Sequence, residues 1–140
     1  MKLFIDTWGW LTLRDRGEAR HQEVADFYHR FRRQRGQVYT SDYVLDETFT
    51  LLFRRLPFPQ AWESLKMITS SVSRGYLHLE WITPERFAQA QALRLRFQDK
   101  PRISFTDLTS MAVMQDRGIT LILTGDAHFT HVGMGFQIVP

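Results

Sequence analysis

Leu3-Phe4-Ile5 and Leu121-Ile122-Leu123 are short unbroken apolar runs. Neither alternates with polar residues, which is the pattern of strands buried on both faces of a sheet. Gln37 to Thr40, Leu77 to Ile82 and Phe136 to Val139 read as further strands. Between these runs the apolar spacing turns helical. Val24, Phe27, Tyr28 and Phe31 predict an amphipathic helix near residues 18–34, ended by Gly36 with arginines in its last turn, where the helix dipole favours cations. Ser41 or Asp42 can cap a following helix with Leu45, Thr48, Phe49 and Leu52 on one face. Pro57 and Pro59 break the chain, and the helix starting near Pro59 is expected to turn Trp62, Leu65, Ile68 and Val72 inward. Thr83-Pro84 opens a helix to about Phe97, with proline at the tolerated first position. Asp99 to Phe105 is a loop, and Thr106 to Arg117 is a helix stopped by Gly118. Trp8, Trp10 and Leu11 mark the apolar face of one more short helix, so packing is favoured for the two indoles over stacking on a nucleic-acid base. Strands alternating with helices predict an α/β fold with a mostly parallel sheet and helices on both faces. No repeat, low-complexity tract or linker interrupts the pattern, and one domain over residues 1–140 is expected.

Composition narrows the class. Hydrophobic residues make up 44% and aromatics 14%, which excludes a disordered chain. The absence of cysteine excludes disulfides, thiolate metal sites and cysteine nucleophiles together, and fits a reducing cytoplasm. No apolar run approaches the roughly 20 residues needed to span a bilayer, and the run after Met1-Lys2 is too short for a signal-peptide core. A cytoplasmic protein without a membrane partner is the expectation. The formal net charge of +3 favours an anionic partner. Arginines crowd Arg30 to Arg35 and Arg54-Arg55, and Lys100 stands near Arg102; they suit either a phosphate backbone or plainly solvated helix ends.

The carboxylates carry the chemistry. Asp6 falls just past the first apolar run, and Asp126 just past Leu121-Ile122-Leu123. In open α/β sheets ligands bind beyond the carboxyl ends of the strands. Glu47 and Asp107 lie in the opening turns of their helices, at the same expected edge. Each alone suits a cap or a turn. Gathered together, their charges could not all stay ionised without a cation. Mg²⁺ prefers such oxygen donors, and a bound divalent ion activates water and offsets charge on a phosphoryl oxygen.

Four segments carry a resemblance. Ile5-Asp6-Thr7, Thr40-Ser41-Asp42-Tyr43-Val44-Leu45-Asp46-Glu47-Thr48, Ser104-Phe105-Thr106-Asp107 and Leu123-Thr124-Gly125-Asp126-Ala127-His128-Phe129 occur in the order of the four acidic motifs of PIN-domain nucleases. The chain resembles in particular the VapC-like toxins of prokaryotic toxin–antitoxin pairs, over nearly its whole length. The resemblance implies a three-layer α/β/α sandwich around a parallel sheet. It implies cleavage of RNA with Mg²⁺ or Mn²⁺ held by Asp6, Glu47, Asp107 and Asp126, water as nucleophile, and 5′-phosphate and 3′-hydroxyl products. Asp6 and Asp107 would hold the principal ion, Glu47 would ligate or orient through water, and Asp126 would complete the pocket. Thr7, Ser104, Thr106 and Thr124 would support these groups. A cognate antitoxin and a homodimer are the implied protein partners. Helix phase and motif favour Glu47 over its neighbour Asp46, since adjacent helical residues point about 100° apart. Asp99 could reach the groove from its loop, Asp116 reads as surface, and His128 reads as exposed or locally bonded rather than as a substrate contact.

Rival functions fare worse. A phosphatase using Asp6 as nucleophile would need a second aspartate two residues on, where Trp8 stands. A duplex-DNA nuclease would need helical insertions that a chain of this length lacks. A non-catalytic RNA- or protein-binding module on the same fold is disfavoured by the retention of all four carboxylates.

Overall fold

Five strands and seven helices alternate along residues 1–140 in the computed structural model: β1 (Lys2–Ile5), α1 (Thr7–Arg14), α2 (His21–Arg33), β2 (Gln37–Ser41), α3 (Asp42–Arg55), α4 (Phe58–Ser73), β3 (Leu77–Glu80), α5 (Pro84–Arg96), α6 (Phe105–Arg117), β4 (Leu121–Leu123), α7 (His128–His131) and β5 (Gln137–Ile138). The strands form one sheet in the order β3-β2-β1-β4-β5, and every pairing is parallel. Leu3, Phe4 and Ile5 have no exposed surface, as expected for a central strand covered on both faces. Helices supply that cover, making the three layers an α/β/α sandwich.

The topology selects a working edge. The chain builds outward from β1 through β2 to β3, then returns to place β4 on the other side of β1. Strand order therefore reverses direction between β1 and β4, and the carboxyl ends of those two strands open the crevice where such folds take ligands. Asp6 directly follows β1 and Asp126 lies three residues beyond β4.

Local chemistry starts the helices at that edge. Ser41 Oγ accepts the Val44 N–H at 3.1 Å and caps α3. Ser104 Oγ accepts the Asp107 N–H at 3.0 Å and caps α6. Asp6 caps α1 through the Gly9 N–H at 3.0 Å. Gly9 itself lets α1 lie close to the sheet, since a Cβ there would stand 2.6 Å from the Leu123 carbonyl oxygen and 2.8 Å from Ile5 Cγ2.

Several details depart from the sequence pattern. Ile68 is buried as expected, but Trp62 is not inward: it is 46% exposed, and α4 buries Ala61 and Ser64 instead. Ala61 meets Leu11 and Leu52 in a small second apolar cluster. Strand β3 stops at Glu80 rather than Ile82, because the Ile82 N–H leaves the ladder and donates to Asp42 Oδ1 at 2.8 Å. The segment after Asp126 forms the one-turn helix α7. Asp99 pairs with Lys100 at 2.8 Å and does not line the acidic groove. Asp116 is at the surface as expected, but binds the buried Arg86 at 3.0 Å. The loop before α6 is held from beneath by Arg94, whose guanidinium donates to the carbonyls of Ile103, Phe97 and Lys100 at 2.6, 2.7 and 2.7 Å. No helix is long and apolar enough to cross a membrane.

Candidate active site

Asp6, Glu47, Asp107 and Asp126 line one groove of about 570 Å³, together with Thr7, Ser104 and Thr106. Four separate elements deliver them: the β1–α1 junction, α3, the first turn of α6 and the loop after β4. The four supporting residues take distinct positions. Thr124, fully buried, donates its hydroxyl to Asp6 Oδ2 and accepts the Asp126 N–H at 3.0 Å, so one side chain ties two carboxylates together. Ser104 fixes Asp107 through the cap already described. Thr7 Oγ1 donates to Glu47 Oε2 at 3.3 Å across the groove. Thr106 lines the wall, and its carbonyl accepts the Thr109 hydroxyl at 2.6 Å. Asp46 faces a neighbouring groove that it shares with Glu47, and Glu47 alone of the two reaches the acidic one.

The electrostatics show the cost of this arrangement. Asp6 is buried, and its pKa is pushed up to about 7. Loss of solvation is the main cause; hydrogen bonds from Thr124 and Gly9 oppose it, and the charges of Asp107 and Asp126 add to it. Asp107 rises to about 6, first through burial and then through the charge of Asp126. These groups resist being charged together in the absence of a cation.

A PIN-domain sequence profile matches residues 3–134. The chain belongs to the PIN-domain family. The 23S rRNA-specific endonuclease VapC20 of Mycobacterium tuberculosis, strains CDC 1551 and H37Rv, is 34% identical over 131 residues, covering 94% of this PIN domain and 94% of the relative. The crystal structure of M. tuberculosis VapC20, described as a sarcin-ricin loop cleaving toxin, superposes with a TM-score of 0.78 at 31% identity, over 94% of this chain and 95% of that one. VapBC2 from Rickettsia felis shares the fold at a TM-score of 0.72 and 13% identity, over 99% and 98% of the two chains. VapBC from Salmonella typhimurium does so at 0.66 and 14%, over 99% and 97%.

The donor set of this PIN domain fits a hard divalent ion. It offers carboxylate oxygens, and two of the carboxyls, Asp6 and Asp107, are held above the ordinary range by burial and by their acidic neighbours. One ligand atom each from Asp107, Asp126 and His128 lie within 4.8 Å of one another. His128 is locally bonded, one of the two readings its sequence position allowed, and that bond brings it beside the acidic centre. Its backbone N–H donates to Asp126 Oδ1 at 2.9 Å, and its Nδ1 stands 3.1 Å from Asp126 Oδ2. The Asp-x-His spacing is the signal for this contact, because a turn over two residues brings the ring back onto the carboxylate. Glu18, Arg55 and Arg102 also line the groove. Nothing in the local sequence around Glu18 marks it. Trp8 reaches the rim but is occupied: Arg20 stacks 5.3 Å from its ring centre, and a Cβ on Gly125 would lie 2.5 Å from its ring.

Proposed function

We propose that this PIN domain is an Mg²⁺- or Mn²⁺-dependent endoribonuclease and the toxin of a toxin–antitoxin pair. The observation that carries the reading is the convergence of Asp6, Asp107 and Asp126 at the sheet's switch point, with Glu47 on the facing wall. Similarity to an rRNA endonuclease described as a toxin supports RNA as substrate, with ribosomal RNA the first class to test, and supports a cognate antitoxin. A homodimer is part of the same reading.

Asp6 and Asp107 would hold the principal ion, with Asp126 completing the pocket and Glu47 contributing directly or through water. A bound divalent ion acidifies water and neutralises charge on the phosphoryl oxygens. The chain's own groups do the rest. Thr124 keeps Asp6 oriented and favours its ionised form. Thr7 holds Glu47 toward the groove. Arg55 and Arg102 grip the phosphates flanking the scissile bond. Water attacks in line, the 3′-oxygen departs, and the products carry 5′-phosphate and 3′-hydroxyl ends.

Asp6→Asn keeps the cap on α1 and removes the charge. Cleavage of RNA by this variant should fall at least a thousandfold with the fold intact by circular dichroism, and chelator should silence the wild type. Wild-type rates from Asp6→Asn would overturn the assignment.

A further inference from the structure

A cavity of about 290 Å³ opens between α1, α2 and α4. Helix α1 is the wall it shares with the catalytic groove. Trp8, Leu11 and Thr12 of that helix line the groove, whereas Trp10, Leu13 and Arg14 line the cavity. Each set has the i, i+3, i+4 spacing of one helix face, and the two sets are offset by two residues, about 200° around the axis. The cavity is therefore a separate place, on the far side of α1 from the acidic groove.

Four basic side chains line it, Arg14, Arg16, His21 and His29, and no carboxylate does. Arg14 is half-buried, and loss of solvation lowers its pKa. Its Nε donates to the buried Ser64 Oγ at 2.9 Å, which fixes the guanidinium. Its terminal amino groups have neither a hydrogen-bond acceptor in the protein nor an acid within 4 Å. Glu63 is the one carboxylate whose charge reaches it, and that carboxylate pairs with Lys66 at 3.4 Å. A partly desolvated guanidinium with free donors is costly to keep unless an acceptor meets it.

The rest of the lining is mostly apolar, with Trp10, Tyr28 and Ile68 among it. The walls are braced from behind. Trp10 Nε1 donates to Thr40 Oγ1 at 3.0 Å, and His21 Nδ1 donates to the Thr12 carbonyl at 2.8 Å. A guanidinium fork binds carboxylate or phosphate oxygens through parallel N–H bonds, and two arginines match the double charge of a phosphate monoester. The volume sits at the lower end of small-molecule sites and is too small for a helix about 10 Å wide.

We propose that the cavity between α1, α2 and α4 binds a small phosphate monoester with a flat apolar body, about the size of a mononucleotide, with Arg14 and Arg16 on the phosphate and Trp10, Tyr28 and Ile68 against the body. Such a site is independent of the ribonuclease reading, because it shares no side chain with the acidic groove.

Titration calorimetry on the metal-free protein tests it, with no ion in the acidic groove to attract phosphate. Adenosine 5′-monophosphate should bind one-to-one with a Kd below about 1 mM, and adenosine and inorganic phosphate should each bind at least about tenfold more weakly. Arg14→Met should weaken binding of the monophosphate about tenfold or more. Arg14→Lys keeps the charge but loses the fork, and should recover only part of that loss. Arg16→Ala changes an exposed side chain, so it should weaken binding about threefold or more at an unchanged Tm, and it keeps the test valid whatever Arg14→Met does to folding. Ala25→Leu fills the cavity while keeping every charge, and should abolish binding. Arg102→Ala, in the acidic groove, should leave the affinity unchanged. No binding to the wild type, inorganic phosphate binding as tightly as the monophosphate, or a loss in Arg102→Ala but not in the Arg14 and Arg16 variants overturns the site. If the monophosphate does not bind and Ala25→Leu instead disrupts self-association or capture of a protein partner, the cavity belongs to a protein contact and the proposal also falls.

Discussion

At the residue scale, the site turns on how Asp6 is held. Its carboxyl is buried against β4 with two hydrogen bonds favouring the ionised form and two neighbouring carboxylates opposing it. Thr124→Val removes one of those bonds while keeping the side chain's shape. Asp6 should then ionise at higher pH, and the midpoint of kcat/KM against pH should move to the alkaline side, measured at saturating Mn²⁺. Folding stability should show the same groups with a definite sign. Asp6 titrates near 7 and Asp107 near 6 in the folded chain, both above the ordinary value of 3.8. Between those values the folded state holds protons that the unfolded state has released. The metal-free protein should therefore be most stable with respect to these groups below about pH 4 and lose that stability as pH rises toward 7. Added Mg²⁺ should raise Tm little at pH 5 and clearly at pH 8, where it replaces the missing protons. A Tm response to Mg²⁺ that is flat across this range would mean the carboxylates do not hold the ion.

At the element scale, the site depends on how closely α1 and the loop before α6 meet the sheet. Gly9→Ala puts a methyl into the Leu123 carbonyl and the Ile5 side chain, neither of which can swing away. The helix must lift, at a cost of about 1–3 kcal/mol, and it takes the Asp6 cap and Trp8 with it. Urea unfolding should show the loss, and cleavage should fall further than the unfolded fraction explains. Much of this scale was legible in the sequence. The runs at Leu3 and Leu121, the caps at Ser41 and Thr83, and the Gly118 stop are local signals, and the elements form where those signals lie. Periodicity turns Trp62 inward because it ranks residues by hydrophobicity alone. The inner face of α4 is chosen by how near α1 and α3 approach, which favours Ala61 and Ser64 over an indole. The early end of β3 was invisible for a similar reason: its cause is a hydrogen bond to Asp42, forty residues away in sequence. The acidic positions could be named from motifs. Thr124 as the tie between two of them, and Arg94 beneath the loop that presents Arg102, depend on contacts made only after folding.

At the scale of the whole molecule, a net-basic chain carries an acidic groove at the one place where its sheet reverses order. These opposite signs serve different steps. An acidic groove repels RNA until its charge is neutralised, so attraction must come from cations around it. Arg102, with no acidic partner within 4 Å, and Arg55, only loosely held by Glu18, are the cations that line it. Each phosphate neutralised on a single strand contributes about −0.7 to the slope of log affinity against log salt. Replacing both Arg55 and Arg102 by alanine in an Asp6→Asn background should therefore flatten that slope by about 1.4, with the same change for unrelated sequences, because phosphate contacts position the strand without reading it. Removing the acidic wall has the opposite sign. Glu47→Gln takes away a charge that repels the strand, so metal-free RNA binding should tighten while cleavage falls. A variant that lost affinity and activity together would show that Glu47 contacts the RNA rather than the ion.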